Sequence, residues 1–246
     1  MKILVLISHV PDTTARIGFT NDNTLYDSNG VTFIVNPYDE WYALVRGLEL
    51  KEALGGTVTT ITVGGAETDP TIRKALAIGA DDAIRIDAEP TESYAVAAQV
   101  AAYAKDRSYD LILAGKETID HNGSQVGPML AELLDLPFIS LASKLDIAGT
   151  TVTAERDVKG DVEVVEASLP LVVSCAKGMA EQRIPNMRGI MAARTKPLTV
   201  VPAISVDVLT AAVKFELPPP KQAVKMIPAD NAGQLIELLH SEAKVI

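Results

Sequence analysis

The sequence is poor in the residues from which most catalytic and metal sites are built. Among 246 residues there are one cysteine and three histidines, and aromatic residues make up 4% of the chain. The lone Cys175 excludes an intrachain disulfide, and its apolar surroundings favour a small core side chain over a reactive thiol. No second histidine or cysteine stands at ligand spacing from His121, so we expect no metal site.

Signals for common enzyme classes and for membranes are also missing. The chain has no G-x-S-x-G elbow, no G-x-G-x-x-G fingerprint and no G-x-x-x-x-G-K-[ST] loop. No apolar run approaches the ~20 residues of a membrane span, and the first residues resemble a strand rather than a signal peptide. We therefore expect a soluble, cytoplasmic protein. Its net charge of −10 argues against a general nucleic-acid binder, because such a protein needs a basic surface.

Strand-like apolar runs alternate with helical segments over the first half of the chain. The first run is continuous and apolar, as expected of a strand that is covered on both faces. Helix signals include Asn36 as an N-cap before Pro37. The predicted strands are 3–10, 58–63, 83–86 and 111–114, and the predicted helices are 36–54, 69–78 and 92–105. This order predicts an α/β fold with a doubly wound, mainly parallel sheet.

The second half contains short β-prone runs that are separated by turn residues. The runs are 143–147, 151–155, 162–167 and 171–174, with Gly149 and Gly160 as hairpin signals. We expect them to form an antiparallel extension at one edge of the sheet. Behind the stiff segment Pro218–Pro220, a last amphipathic helix begins near Asn231. We therefore expect one α/β domain with its extension over residues 1–200, and a C-terminal arm ending in a helix over residues 201–246 that docks on another surface.

The loop after the strand at 111–114 is the most informative segment. It runs from Gly115 to Pro128, and a helix is predicted to begin near Val126. A helix start at the carboxyl end of a strand offers free backbone N–H groups and the positive end of the helix dipole to a phosphate. Gly123 permits close approach of the backbone, and Ser124 supplies a hydroxyl. An ordinary capped helix start is the alternative.

Two other strand ends strengthen the phosphate interpretation. Asn36 precedes a helix, and Val63–Ala66 follows a strand with small residues. Either feature alone is ordinary turn chemistry. Three such places in one α/β sheet favour an adenine-nucleotide crevice.

Residues 183–196, called the recognition segment below, carry four basic residues and no acidic one in an acidic chain. Ile184, Met187, Ile190 and Met191 alternate with these basic residues. Because methionine adapts to varied surfaces and arginine pairs with carboxylates, the segment could dock on a partner. A core helix with a basic solvent face fits the same pattern.

These segments together resemble the beta subunit of electron transfer flavoproteins over essentially the whole chain. The combination is specific, whereas an isolated Asn-Pro or Gly-Ala-Asp has no such meaning. The resemblance is carried by the first strand, Asn36–Glu40, Arg73–Asp81, Leu113–Lys116, Ile119-Asp120, Gln125-Val126-Gly127 and Ile184–Arg194.

The resemblance implies an electron carrier subunit without catalysis of its own. In this family an alpha subunit holds the redox-active FAD, mostly in its mobile C-terminal domain. The beta subunit binds a structural AMP, and in electron-bifurcating members a second FAD takes that place. Electrons come from acyl-CoA dehydrogenases or similar flavoenzymes, as in fatty acid beta-oxidation, and pass to a downstream acceptor. The C-terminal helix would correspond to the arm that clasps the alpha subunit.

The resemblance places the family's sites on two groups of residues. The expected nucleotide residues are Leu6, Asn36, Val63, Gly64, Gly65, Ala66, Asp120, His121, Asn122, Gly123, Ser124, Gln125, Val126 and Gly127, with 124–126 at the phosphates. The expected partner-docking residues are Ile184, Pro185, Asn186, Met187, Arg188, Gly189, Ile190, Met191 and Arg194. The sequence Gln125–Pro128 resembles bifurcating members, whereas Asn122–Ser124 fits neither type, so AMP and a second FAD both stay open.

Two other classes of function compete with this one. A stand-alone adenine-nucleotide-binding module, of the kind seen in universal stress proteins, would share the doubly wound half and the helix-start loop. It would leave the recognition segment and the C-terminal helix without a role. An enzyme with its own substrate has no positive motif in its favour.

Overall fold

The computed structural model describes residues 1–221 and 223–246. The described strands are β1 (Lys2–Leu6), β2 (His9–Pro11), β3 (Phe19–Thr20), β4 (Leu25–Tyr26), β5 (Phe33–Val35), β6 (Thr57–Val63), β7 (Asp82–Asp87), β8 (Leu111–Gly115), β9 (Phe138–Ala148), β10 (Thr151–Val158), β11 (Asp161–Ser168), β12 (Leu171–Cys175) and β13 (Leu198–Pro202). The α-helices are α1 (Asp39–Leu54), α2 (Asp69–Ile78), α3 (Ser93–Ala104), α4 (Val126–Leu134), α5 (Met187–Ala193) and α6 (Ala232–Ser241). A short 3₁₀-helix covers Ala66–Thr68.

One large sheet organises the described residues, in the strand order β11-β10-β9-β12-β8-β1-β6-β7-β13. Every neighbouring pair from β9 through to β13 is parallel. Strands β10 and β11 then continue the sheet in antiparallel fashion beyond β9. These pairings confirm the predicted α/β fold with a mainly parallel sheet and an antiparallel extension at one edge.

Helices cover the parallel part of the sheet on both faces. Successive residues of β1 alternate between two buried clusters, as the pleat of a strand requires. Ile3 and Val5 pack with α1 and α2, whereas Leu4 and Leu6 pack with α3 and α4. Cys175 is fully buried in the first cluster, and burial raises the pKa of its thiol, which confirms it as a core side chain. No helix within the described ranges is long and apolar enough to cross a membrane.

Two predictions about strands are wrong in detail. The first apolar run is not one strand, because β1 ends at Leu6 and residues 9–11 leave the large sheet to pair with β5. The run at 171–174 does not belong to the antiparallel extension. It forms β12, which lies between β8 and β9 and is parallel to both.

The start of α1 also differs from the prediction. The helix begins at Asp39, and the N-cap position is occupied by Tyr38 with φ 63°. Asn36 is therefore not the N-cap. Because the helix begins after Tyr38, the Asn36 side chain does not cap it and instead contacts the loop after β8.

The C-terminal arm leaves the sheet after β13, which itself was not predicted as a strand. From residue 203 the described residues have no regular structure until α6, whose position confirms the predicted helix. Few side-chain contacts of the described residues fasten this stretch to the domain. They join Ile204 to Gln99 at 2.8 and 3.0 Å, Thr210 and the Leu209 amide to Glu92, and the ring of Phe215 to that of Phe19, with centroids 5.1 Å apart. No residue of α6 is buried, and its docking on another surface stays a prediction.

Candidate functional site

A cavity of about 640 Å³ opens at the carboxyl ends of β1, β6 and β8. Small-molecule sites commonly occupy ~300–1,000 Å³. In the sheet, β6 lies on one side of β1 and the later strand β8 lies on the other side. The strand order therefore reverses at β1. Open α/β sheets bind ligands at such a switch point. The apolar walls come from Leu6, Ile61, Val63, Val96 and Val100.

The loop between β8 and α4 forms a polar wall of this cavity. Asn122 and Ser124, on either side of Gly123, have φ values of 50° and 52°, and Gln125 returns to −107°. Alternation of backbone conformation is typical of anion-binding concavities, in which successive N–H groups converge. Helix α4 begins at Val126, and no side chain caps its first turn. The uncapped amides and the helix dipole favour a phosphate at this place.

The structure brings most of the predicted nucleotide residues to the cavity surface. The lining residues among them are Leu6, Val63, Gly64, Asp120, His121, Gly123, Ser124, Gln125 and Val126. The remaining ones, which do not line it, are Asn36, Gly65, Ala66, Asn122 and Gly127. Gly127 instead packs against the ring of Phe138, where an added Cβ would come within 3.2 Å of a ring carbon.

Asn36 lies behind the wall and holds it in place. The side chain is fully buried. Its Nδ2 donates to the Glu117 carbonyl at 2.9 Å, and its Oδ1 accepts from the Ile119 N–H at 3.0 Å. Asn36 therefore ties the start of the loop to the segment that leads into α1. Its predicted part in nucleotide binding would be indirect, through the shape of this loop.

Sequence reasoning missed the residues that follow β1. Ser8 and His9 both line the cavity. His9 stacks on Phe33 with ring centroids 4.4 Å apart, and its Nδ1 lies 2.8 Å from Thr71 Oγ1. Burial lowers the pKa of His9, so the ring is neutral at neutral pH. Their place after the first strand was an available signal, since ligands gather at carboxyl strand ends.

The charged side chains around the cavity are mainly acidic. Among the described residues that line the cavity, Lys116 is the one lysine. Its Nζ lies 2.9 Å from Glu117 Oε1. Glu117 also accepts a hydrogen bond from the Ser124 hydroxyl at 3.1 Å. The contact with Lys116, and to a smaller extent the one with Ser124, lowers the pKa of Glu117. The acidic lining residues are Glu40, Glu67, Glu89, Glu92, Glu117 and Asp120. An anionic ligand must therefore be held by backbone N–H groups and hydroxyls rather than by a cluster of basic side chains.

Glu40 is the buried member of this acidic group, with 4% of its surface exposed. Its carboxyl oxygens accept from the Ser8 N–H at 2.6 Å and from the Ser8 hydroxyl at 2.7 Å. Gly115 gives it space, since a Cβ at that residue would lie 2.6 Å from Glu40 Cγ. Burial raises the pKa of Glu40 to about 8, although the hydrogen bonds from Ser8 act in the opposite direction.

Metal ligands are not assembled in the part of the chain that the structure describes. No three histidine, cysteine, aspartate or glutamate side chains there are grouped so as to hold a metal ion. His121 is exposed, and its Nε2 lies 3.9 Å from Asp120 Oδ2. The site therefore offers hydrogen-bond donors and apolar walls as its means of holding a ligand.

The recognition segment displays its apolar side chains to solvent. Ile184 is 80% exposed, Met187 72% and Met191 56%. The alternative of a core helix with a basic face is thus wrong for these residues. Asn186 caps α5 by accepting from the Gly189 N–H at 2.9 Å.

Helix α5 is held firmly on the C-terminal end of α2. Arg73 of α2 donates to the Ala193 and Lys196 carbonyls at 2.8 and 2.7 Å. Gly189 lies directly against the Ala77 carbonyl, and there is no space for a Cβ between them. The other end of α2 reaches the cavity through Pro70. One helix therefore carries both the cavity wall and the recognition segment.

Comparisons with known proteins agree with the resemblance noted in the sequence. Residues 24–206 match the family described as the electron transfer flavoprotein domain. The chain is 42% identical to electron transfer flavoprotein subunit beta of Bacillus subtilis (strain 168), and all of both chains is covered. It is 32% identical to protein FixA of Azotobacter vinelandii, covering 99% of this chain and 91% of that one. It is 30% identical to electron transfer flavoprotein subunit beta of Sus scrofa, covering 100% and 99%. This chain therefore belongs to the electron transfer flavoprotein family, as a beta subunit.

Proposed function

We propose that this chain is the nucleotide-binding subunit of a heterodimeric electron carrier, whose redox-active FAD is held mainly by an alpha subunit. The relatives that carry the name subunit beta match along the whole chain, and such a name implies at least one further subunit. The cavity at the switch point of the sheet is the single structural observation that supports the proposal best.

The proposed ligand of the cavity is AMP. Its phosphate would be held by the backbone N–H groups of residues 124–126 and by the Ser124 hydroxyl, which would turn from Glu117 to the phosphate, and its base would lie between apolar walls such as Leu6 and Val63. AMP supplies no redox chemistry; when bound, it fills the cavity and orders its walls. The described lining has one anion-suited concavity and one lysine, which already pairs with Glu117. A single phosphate therefore fits better than the pyrophosphate of a second FAD, which is the alternative ligand.

Two surfaces would serve the protein partners. The recognition segment combines exposed Ile184 and Met187 with arginines, which suits an acidic, partly apolar surface on an acyl-CoA dehydrogenase or a similar flavoenzyme. Helix α6 exposes Leu235 and Ile236 at the end of the C-terminal arm. Because an unpartnered apolar helix face favours docking, the arm would bind the alpha subunit.

The test is to co-express the chain with its alpha subunit, purify the complex, denature it and identify the released small molecules. One FAD and one AMP per heterodimer is the expected result. Two FAD and no AMP would establish the bifurcating type instead. A chain that stays monomeric and releases no nucleotide would refute the proposal.

The cavity alone would also suit a stand-alone nucleotide-binding module. That function requires the lone chain to bind ATP tightly and hydrolyse it. Measurement of ATP turnover by the isolated chain separates the two functions, because an electron carrier subunit should show none.

A further inference from the structure

Glu40 occupies an unusual place for an ionisable carboxyl group. It lines a cavity proposed to bind an anion, and it is almost fully buried. Both of its described hydrogen bonds come from Ser8, which is neutral. No lysine, arginine or histidine of the described chain pairs with it within salt-bridge distance. A buried carboxylate without a counter-ion is costly, so the neutral acid is the favoured form.

The groups that face Glu40 from the surrounding elements do not offset this cost. Lys116, the nearest cation of the loop, is already paired with Glu117 at 2.9 Å. Asp120, on the same loop, and Asp39, on α1, are close enough to raise the pKa of Glu40 to some degree, in addition to burial. The polar and charged groups that line the cavity with Glu40 or act on its pKa from these elements are Asp39 from α1, Lys116, Glu117 and Asp120 from the loop after β8, and Ser8 and His9 from the segment after β1.

We propose that Glu40 is a specificity residue that holds a proton in the nucleotide cavity, so that the anionic nucleotide binds only when this side chain is a neutral carboxylic acid. The inference deepens the proposed function and rests on it. Glu40 lines the same cavity as Asp120 and as residues 124–126, which are proposed to hold the phosphate. An ionised Glu40 would repel the phosphate across a poorly solvated cavity. By linkage, the bound nucleotide must in turn favour the proton on Glu40.

The ligand and the groups near Glu40 keep a constant charge over the pH range in which the inference can be tested. A phosphate monoester has its second pKa at about 6, so AMP is already a dianion above pH 7. The pKa of His9 is lowered from 6.5, and that of Lys116 is raised from 10.5. Neither group therefore changes charge between pH 7 and 9, whereas Glu40 does, with its pKa at about 8.

The experiment is calorimetric titration of AMP into the nucleotide-free heterodimer at pH 7, 8 and 9. Affinity of the wild-type complex should fall about tenfold from pH 7 to 9, because the neutral fraction of Glu40 falls by about that factor. Glu40→Gln mimics the neutral acid and should bind with an affinity that does not depend on pH in this range. The matched control Glu166→Gln alters an exposed carboxyl on β11 and should keep the wild-type dependence.

A second measurement needs no variant. At pH 8, titrations in buffers of different protonation enthalpy should show that wild type takes up about half a proton per AMP bound. Wild-type affinity that is constant from pH 7 to 9, or binding without proton uptake, would overturn the inference and leave the nucleotide site standing. An AMP affinity of Glu40→Gln that falls with pH as steeply as that of wild type would also overturn the inference. Failure of AMP to bind at any of these pH values would overturn the proposed function itself.

Discussion

Replacement of Glu40 by glutamine should remove a large pH dependence of the free energy of unfolding, even without ligand. The pKa of Glu40 is about 8 in the folded chain and 4.5 as the ordinary value. Between these pH values the folded chain keeps a proton that the unfolded chain has lost, so the free energy of unfolding falls as the pH rises. The free energy of unfolding falls by about 1.4 kcal/mol per pH unit in this range. The total decrease approaches about 5 kcal/mol at pH 8 and stays constant above it.

Urea unfolding at pH 5, 6.5, 8 and 9 measures this effect directly. Glutamine keeps an oxygen that can accept the Ser8 N–H, and it does not titrate. The stability of Glu40→Gln relative to wild type should therefore increase with pH and become constant above pH 8. Glu166→Gln, on the exposed strand β11, should follow wild type throughout. Parallel curves for wild type and Glu40→Gln between pH 5 and 8 would refute the reasoning.

Three further substitutions test the site and the recognition segment. Ser124→Glu should place a carboxylate in the phosphate concavity and release AMP on dialysis; full retention would contradict that placement. Met187→Glu should slow the reduction of the heterodimer's FAD by a partner dehydrogenase. The melting temperature should not fall, because this side chain is exposed. Unchanged reduction kinetics would contradict a docking role for Met187. Gly189→Ala puts a Cβ closer than 3.0 Å to a backbone carbonyl of α2, so overpacking should cost about 1–3 kcal/mol, offset in part by the better helix propensity of alanine. Gly233→Ala in α6, with open space around it, is the control; equal melting temperatures for the two variants would show that α5 moves freely.

Local patterns were sufficient to predict three neighbouring or near-neighbouring strands of the parallel sheet and the position of the loop that lines the cavity. Short runs rich in β-branched and apolar residues predicted the bounds of β6, β7 and β8 to within one residue at each end, because such residues suit a buried parallel strand. The loop before α4 was predictable for a similar reason. A strand end, a glycine and a helix start at Val126 follow one another in the chain, and the general rule for open α/β sheets predicts a ligand at such a place.

Features that depend on distant residues escaped prediction. Glu40 follows Asp39 at the start of α1, where charges normally face solvent. Its burial depends on Ser8, in the segment after β1, and on Gly115, at the end of β8, which the fold brings to it from distant parts of the chain. Strand β13 is half exposed and ends in a proline, so it forms a strand only because the edge of β7 is available for pairing. Neither property is present in the local sequence.

The sparse fastening of the C-terminal arm has a consequence for how the protein comes apart. Residues 203–217 are held by the hydrogen bonds at Gln99 and Glu92, by the Phe19–Phe215 ring stack and by a bond from the Phe215 N–H to the Asn23 carbonyl at 2.7 Å. None of residues 203–217 is buried, so the contacts can break without exposing the hydrophobic core. Local opening of residues 203–217 should therefore be far more frequent than global unfolding. Proteases should cut the chain there first and release α6, while the strands through β13 survive as a folded remnant.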